Sequence, residues 1–333
     1  DTTTKVNADA MLASIKTTVE SSGETLRYGT ALYTSFRDAA LKNTLVSDSI
    51  VDGTPGQNMV PYVYFTNEKD TSGKYHPMML IVSYGNQASP NGLRDVPRPP
   101  GDGSGGYAES KVTRSANLEN YVTMIPMKDY GRVSDITENI LAKTLWSDVA
   151  GTTASKNVYT YADTADNGIL VNGAVMFPLY NNSLIPSHMA GELTFLGCHV
   201  GQGGGGPHCH ADGYQESSGL GIYNDADYVG KTHPPLIGFG YDGIALFGIY
   251  RSSDTEMLGY STALDGFGAH DHDSIGYHYH AHTEANHKPE LMSITSTIHV
   301  LMKGAYIGKT GSIPYFRTNS NFNDNKYLGG SAN

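Results

Sequence analysis

A mainly β fold, α+β overall, is what this 333-residue sequence predicts: a sandwich or jelly-roll-like core with a few short helices in the N-terminal half. Three observations predict it. Short runs of β-branched and aromatic residues recur through most of the chain, separated by Gly, Pro and Asn. Gly 39, Pro 15 and Tyr 23 against only 17% charged residues is a composition of turns and pleated surfaces rather than of solvated helix faces. Apolar residues at helical spacing are confined to the first half.

Taken in order, residues 1–7 form a polar lead, after which Ala10, Met11, Leu12, Ile15 and Val19 fall at helical spacing. Ala31, Leu32, Phe36, Ala39, Ala40 and Leu41 repeat the pattern, so two short helices are expected. Residues 62–65 and 78–82 read as two strands joined through a polar turn at 67–73, a hairpin. The segment 97–106, rich in Pro and Gly, reads as a loop or linker, and 121–125 as a strand. Ile136, Ile140, Leu141 and Leu145 behind Ser134 or Asp135 as cap predict a helix over 134–150. Strands follow at 157–161, 168–171, 174–177, 237–239, 244–250 and 295–302. The change of character sets a soft boundary between an N-terminal region, 1–150, and a β domain, 151–333.

The chemistry sits in that second region. In Gly276-Tyr277-His278-Tyr279-His280-Ala281-His282, an extended backbone puts His278, His280 and His282 on one face and the tyrosines on the other. Gly206-Pro207-His208-Cys209-His210 repeats the His-x-His pattern, and each copy has an upstream Gly-x-His, at Gly197-Cys198-His199 and Gly268-Ala269-His270. This is a degenerate internal repeat, and two loop-and-strand units are expected to face each other across one site. Neutral imidazole is the commonest ligand of Zn, Cu and Ni, and His-x-His offers one ion two nitrogens. His208, His210, His278 and His280 are therefore the first expected ligands of a divalent transition metal, Cu or Zn, followed by His199 and His270. Asp242 either orients a ligating imidazole or forms a turn with Gly243. His272 and His282, at the ends of their runs, are weaker candidates; His76, His188, His287 and His299 are isolated and read as structural. The competing reading is a hydrogen-bonded network of histidines and tyrosines filling a polar core.

Both cysteines flank these histidines. A strand at 208–210 turns Cys209 away from its neighbours, which favours a disulfide to Cys198 over a place in the same metal site, with two buried thiols as the alternative. Such a bridge belongs to an oxidising compartment and contributes about 2 to 3 kcal/mol. Asp225 and Asp227 offer a weak calcium site that lacks the glycine and terminal glutamate of an EF-hand loop. The glycines at 201–206 have no Lys-Ser/Thr of a phosphate loop, and Asn181-Asn182-Ser183 is a glycosylation acceptor pattern at Asn181.

Several motifs together carry a resemblance. His199-Val200-Gly201, Pro207-His208-Cys209-His210, the run from His233-Pro234-Pro235 through Gly240-Tyr241-Asp242-Gly243, Leu264-Asp265 and Tyr277-His278-Tyr279-His280 resemble the YHYH domain family of exported proteins. Gly168-Ile169-Leu170-Val171-Asn172-Gly173 resembles its entry motif. The likeness covers about residues 155–285. It departs where Pro207 and Cys209 replace tyrosines and where 244–247 reads Ile-Ala-Leu-Phe. The resemblance implies an exported setting and no particular reaction.

Net charge -11 and the lack of any basic run argue against nucleic acid as a partner. No apolar run reaches the roughly 20 residues of a membrane-spanning helix. The start at Asp1, without an apolar leader, fits an extracellular or secreted chain whose signal peptide is gone. Three functions compete. The first is an extracellular structural protein that self-assembles into filaments or a surface layer, with metal clips in the fold and the polar lead as a contact arm. The second is a secreted metalloenzyme of copper redox or zinc hydrolytic or hydration chemistry, and the third a metal-capturing binding protein. The first is preferred, because no acid or base beyond the histidines is nominated.

Overall fold

The computed structural model describes residues 2–41, 60, 62–83, 85, 121–132, 167–177, 179, 186–194, 197–199, 208–214, 222–265, 267–289, 295–300, 307–309 and 313–314. The expected helix at 134–150, the strand at 157–161, the loops at 97–106 and 201–206, the boundary near 151 and Asn181 lie outside them.

Helix α1 spans Thr2–Ser21 and α2 spans Thr30–Leu41. Ala8, Leu12, Ile15 and Val19 fall at successive three- and four-residue steps on one face of α1, and each is at most 2% exposed. Gly23, at φ +78°, ends the helix, with the N–H of Glu24 donating to the carbonyl of Val19 at 3.2 Å. The polar lead is thus the first turns of α1 rather than an extended arm, because the apolar stripe behind it rewards helix. Tyr33 and Phe36 of α2 pack on Phe239 with ring centroids 5.9 and 5.4 Å away. Burying such side chains contributes about 2 to 3 kcal/mol each, and it seats the helices on the sheet that carries the histidines.

Strands β1 (Tyr62–Lys69), β2 (Tyr75–Ser83) and β3 (Tyr121–Pro126) form an antiparallel sheet in that order. The predicted hairpin is β1–β2, its turn shifted to Asp70–Lys74, where the Asp70 carboxylate accepts the N–H groups of Ser72 and Lys74 and Gly73 sits at φ +83°.

The second sheet has eight strands: β4 (Gly168–Leu170), β5 (Val175–Met176), β6 (Cys198–His199), β7 (His208–Cys209), β8 (Leu236–Gly240), β9 (Ala245–Phe247), β10 (Ala269–His270) and β11 (His278–His280). Their order is β10-β11-β9-β8-β4-β5-β7-β6. Read from either edge inward, this is the same unit twice: an outer antiparallel hairpin, joined in parallel to an inner antiparallel hairpin. The copies meet antiparallel at β4 and β8, where Gly168 faces Gly240, Ile169 faces Phe239 and Leu170 faces Gly238. The inner hairpins turn through Asn172-Gly173 and Asp242-Gly243. In both, the glycine has positive φ, +88° and +80°, and donates its N–H three residues back at 2.9 Å. The internal repeat read from the histidines therefore extends to backbone detail.

Strands β12 (His282–His287) and β13 (Ser296–Val300) form a two-stranded sheet, bridged to the larger one by Ala211 and Val300. A single apolar cluster runs from Ala8 of α1 through β1–β3 and the eight-stranded sheet to Ile307. The chain is β-rich and α+β, with its two described helices in the N-terminal half.

Candidate metal centres

The histidines of the repeat form two centres instead of one shared site. His199, His208 and His210 make the first; His233, His272, His278 and His280 make the second. The sheet order explains the separation: β7 and β11 have four strands between them, roughly 24 Å of sheet at the usual spacing. Facing across a common cleft would need the two units on opposing sheets, and instead they occupy opposite edges of one.

In the second centre β11 supplies His278 and His280, both on one face and both buried. His280 is fixed by its Nδ1–H, which donates to the Gly248 carbonyl at 2.7 Å, and His278 by the same nitrogen on the Gly276 carbonyl at 2.5 Å. His233, three residues before β8, donates its Nδ1–H to the Pro234 carbonyl at 3.0 Å. A carbonyl has no proton to give, so all three imidazoles carry theirs on Nδ1 and present a bare lone pair at Nε2. Those lone pairs point at one another: His278 Nε2 is 3.0 Å from that of His280 and 3.2 Å from that of His233. Neither contact is a hydrogen bond. Protonation does not relieve them, because burial pushes His278 down to about 3 and His233 down to about 4, and holds His280 well below the usual imidazole range.

Nitrogens about 2.0 to 2.1 Å from a zinc ion stand about 3.3 Å apart in a tetrahedron, and those in a square-planar copper site about 2.9 Å apart. The observed spacings are those of ligands around one ion. His272 completes the set, its side chain 6% exposed and its Nδ1–H directed to Asp273 at 3.0 Å. The Tyr250 hydroxyl, which donates to the Leu258 carbonyl at 2.6 Å, lies 3.3 Å from His272 Nε2. His270 lines the same pocket, with its ring 4.9 Å from those of both His278 and His280. Its Nδ1–H donates to Thr262 at 2.9 Å, and its Nε2 is buried without a hydrogen bond.

In the first centre β6 and β7 bring His199 opposite His208, and all three histidines are buried. His199 donates Nδ1–H to the Glu192 carbonyl at 3.0 Å; its Nε2 stands 2.7 Å from that of His208 and 3.2 Å from that of His210. One imidazole lone pair accepts one proton, so at most one of these contacts is a hydrogen bond. Burial, then the neighbouring His208 and His210, hold His199 well below the ordinary imidazole value. Phe177 stacks on His208 at 3.7 Å and closes one side. Behind the histidines Cys198 and Cys209 are joined in a disulfide, with Cα atoms 4.0 Å apart.

Of the expected ligands, His199, His208 and His210 come together in one centre and His278 and His280 in the other, with His270 beside the latter. His272 is a fuller member than expected. His282 is not one: the chain leaves the large sheet at Ala281, and His282 opens β12, 3.7 Å from Glu284. Among the described residues the hydrogen bonds of Asp242 go to a turn and a strand and not to an imidazole. Asp242 is fully buried and accepts from the Tyr279 hydroxyl at 2.8 Å and from the N–H groups of Ile244 and Gly308 at 3.2 and 3.0 Å, so it ties turn to strand. Backbone carbonyls do the orienting instead. The Asp225 carboxylate is held by Tyr214 and Arg251, each at 2.5 Å, and that of Asp227 caps the N–H of Asn224 at 2.8 Å, which accounts for this pair without calcium. His233 was missed by sequence reasoning, although its position just before a predicted strand of the repeat marked it. His270-Asp271-His272 is a third His-x-His.

Comparison of the chain with protein-family models, with curated proteins and with solved structures returns no match.

Proposed function

We propose that this chain is an exported structural protein whose β core is clipped by transition-metal ions, zinc or copper, and that it shares this arrangement with the YHYH domain family. The observation that carries the metal reading is the convergence of three Nε2 lone pairs, from His233, His278 and His280, with no proton among them. A cation turns these two lone-pair repulsions into three bonds. An ion there joins β11, the approach to β8 and the segment after β10, and so fastens one edge of the large sheet. When bound it supplies cross-linking between segments far apart in sequence; the residues supply fixed tautomers, each set by a carbonyl.

Export is supported by the Cys198–Cys209 disulfide, which persists in oxidising surroundings. No described helix is long and apolar enough to cross a membrane. Self-assembly rests on the Tyr-rich, charge-poor composition. Elemental analysis of native protein, with unfolding measured in zinc and in chelator, tests the metal reading: bound metal and a raised midpoint are expected, and a chain that neither carries nor takes up metal sinks it. Sedimentation and electron microscopy test assembly, and a monomer at high concentration counts against that part alone.

A further inference from the structure

We propose that the chain binds two ions in unlike centres, and that the Cys198–Cys209 disulfide governs the affinity of only the three-imidazole centre of His199, His208 and His210. This rests on the metal reading above and deepens it.

The two centres occupy equivalent places in a duplicated unit. His208 and His210 stand where His278 and His280 stand seventy residues later, with Gly168, Asn172 and Gly173 matched in the same step by Gly238, Asp242 and Gly243. The N–H of His210 donates to the Gly197 carbonyl at 2.9 Å, and that of His280 to the Gly268 carbonyl at 2.8 Å. Both acceptor glycines have positive φ, +80° and +72°. The scaffolding of the ligands is the same in both halves.

What fastens that scaffolding differs. In the first half, among the described residues, β6 pairs with β7 through Cys198 with Cys209 and His199 with His208. That hairpin lies at the edge of the sheet, with a neighbouring strand on one side of it. The disulfide joins the register pair next to the ligand pair His199–His208 and fixes the two strands to each other covalently. In the second half the equivalent pair is Ala269 with Tyr279, and no covalent link is possible. There Tyr279 is anchored through its hydroxyl to buried Asp242, and His233 and His272 arrive from two further segments. One centre is held by a bond behind three ligands, the other by more ligands from more places. Four intervening strands keep the centres from sharing either device.

Zinc titration of the whole chain, followed by calorimetry and elemental analysis, tests this. Wild type is expected to take two ions. His208→Ala/His210→Ala and His278→Ala/His280→Ala should each keep one. Cys198→Ala/Cys209→Ala should weaken one of the two ions by about 10- to 100-fold, the range that supports behind metal ligands carry, and leave the other unchanged. Adding the cysteine changes to His208→Ala/His210→Ala should do nothing to the ion that remains. A second measurement needs no cysteine variant to fold. A phosphine reduces the disulfide, taking oxygen from water to become the phosphine oxide and leaving two thiols. Zinc saturation should slow this by about tenfold in wild type and not in His208→Ala/His210→Ala. A single ion per wild-type chain, equal weakening of both ions, or a reduction rate indifferent to zinc overturns the proposal while the metal reading stands. Failure to bind any zinc overturns both.

Discussion

Replacing His278 by Phe separates a metal centre from a polar network, because the two readings predict opposite behaviour of the metal-free protein. His278 takes part in both lone-pair contacts of the second centre, at 3.0 and 3.2 Å, so the substitution keeps a buried ring and removes the shared ligand. Structural zinc sites bind with about 10 to 16 kcal/mol over four ligands, about 2.5 to 4 kcal/mol each, so affinity should fall by about two to three orders of magnitude. At free zinc near 1,000 times the wild-type Kd, the wild-type centre gains about 4 kcal/mol of stability; one weakened 100-fold gains about 1.4. The zinc-dependent increment of the variant should therefore be smaller by about 2.7 kcal/mol. In chelator the variant loses the hydrogen bond to Gly276, about 1 kcal/mol, and sheds the repulsion between bare lone pairs, so the two proteins should lie within about 1 kcal/mol of each other. Denaturant unfolding at fixed free zinc and in chelator measures both quantities. Equal zinc increments in the two proteins refute the metal centre. A loss of several kcal/mol in chelator identifies the histidines as a satisfied polar network.

Acid should destabilise the metal-free protein. Burial lowers His233 to about 4 and His278 to about 3 in the folded state, below the 6.5 of an exposed imidazole. The unfolded chain then binds protons first, and the contribution present above pH 6.5 is lost as pH falls toward those values, at up to about 1.4 kcal/mol per pH unit for each histidine. A urea midpoint unchanged between pH 7.5 and pH 5 would contradict this. Gly243→Ala should cost about 2 to 4 kcal/mol, because φ is +80° and the new Cβ would stand 2.3 Å from the Pro126 carbonyl oxygen. Gly73→Ala, at φ +83° with open space around it, should cost only about 1 kcal/mol, and equal losses in thermal melts would remove the steric argument. Tyr28→Phe should cost about 1 to 3 kcal/mol. Its hydroxyl donates to the Tyr277 carbonyl at 2.6 Å and accepts the Ala245 N–H at 3.0 Å, leaving both buried groups unmet when it goes; an unchanged unfolding midpoint would show them satisfied elsewhere.

Periodicity made α1, α2 and the β1–β2 hairpin legible, because each has one buried face and its neighbours in sequence are its neighbours in space. The repeated His-x-His marked the outer hairpins of the two copies, whereas the matching Asn172-Gly173 and Asp242-Gly243 turns of the inner hairpins emerged only from the structure. Strand order was not legible: pairing β4 with β8 depends on Gly168, Gly238 and Gly240 letting backbones close in, where an added Cβ on Gly168 would lie 2.4 Å from the Phe239 carbonyl oxygen. With the order hidden, two edge clusters read as one facing site. Asp242 stayed open between orienting an imidazole and forming the turn with Gly243, because its Tyr279 and Gly308 partners lie 37 and 66 residues away. His233 went unnoticed because its place in the pocket comes from β8 lying beside β9, a contact that spacing does not encode.

One rim of the eight-stranded sheet ends in a strand of two residues, β10. A rim that short offers an incoming strand almost no ladder to extend, which protects that edge from adding copies sideways. If the chain polymerises through backbone pairing, growth must start on another border. Among the described residues the longest is β1, eight residues at the margin of the three-stranded sheet, with α1 and α2 packed against it. The margin that carries His270, His278 and His280 is thus a closed end, and a lattice grown through β1 would carry the ion of that margin away from the seams between β-paired subunits.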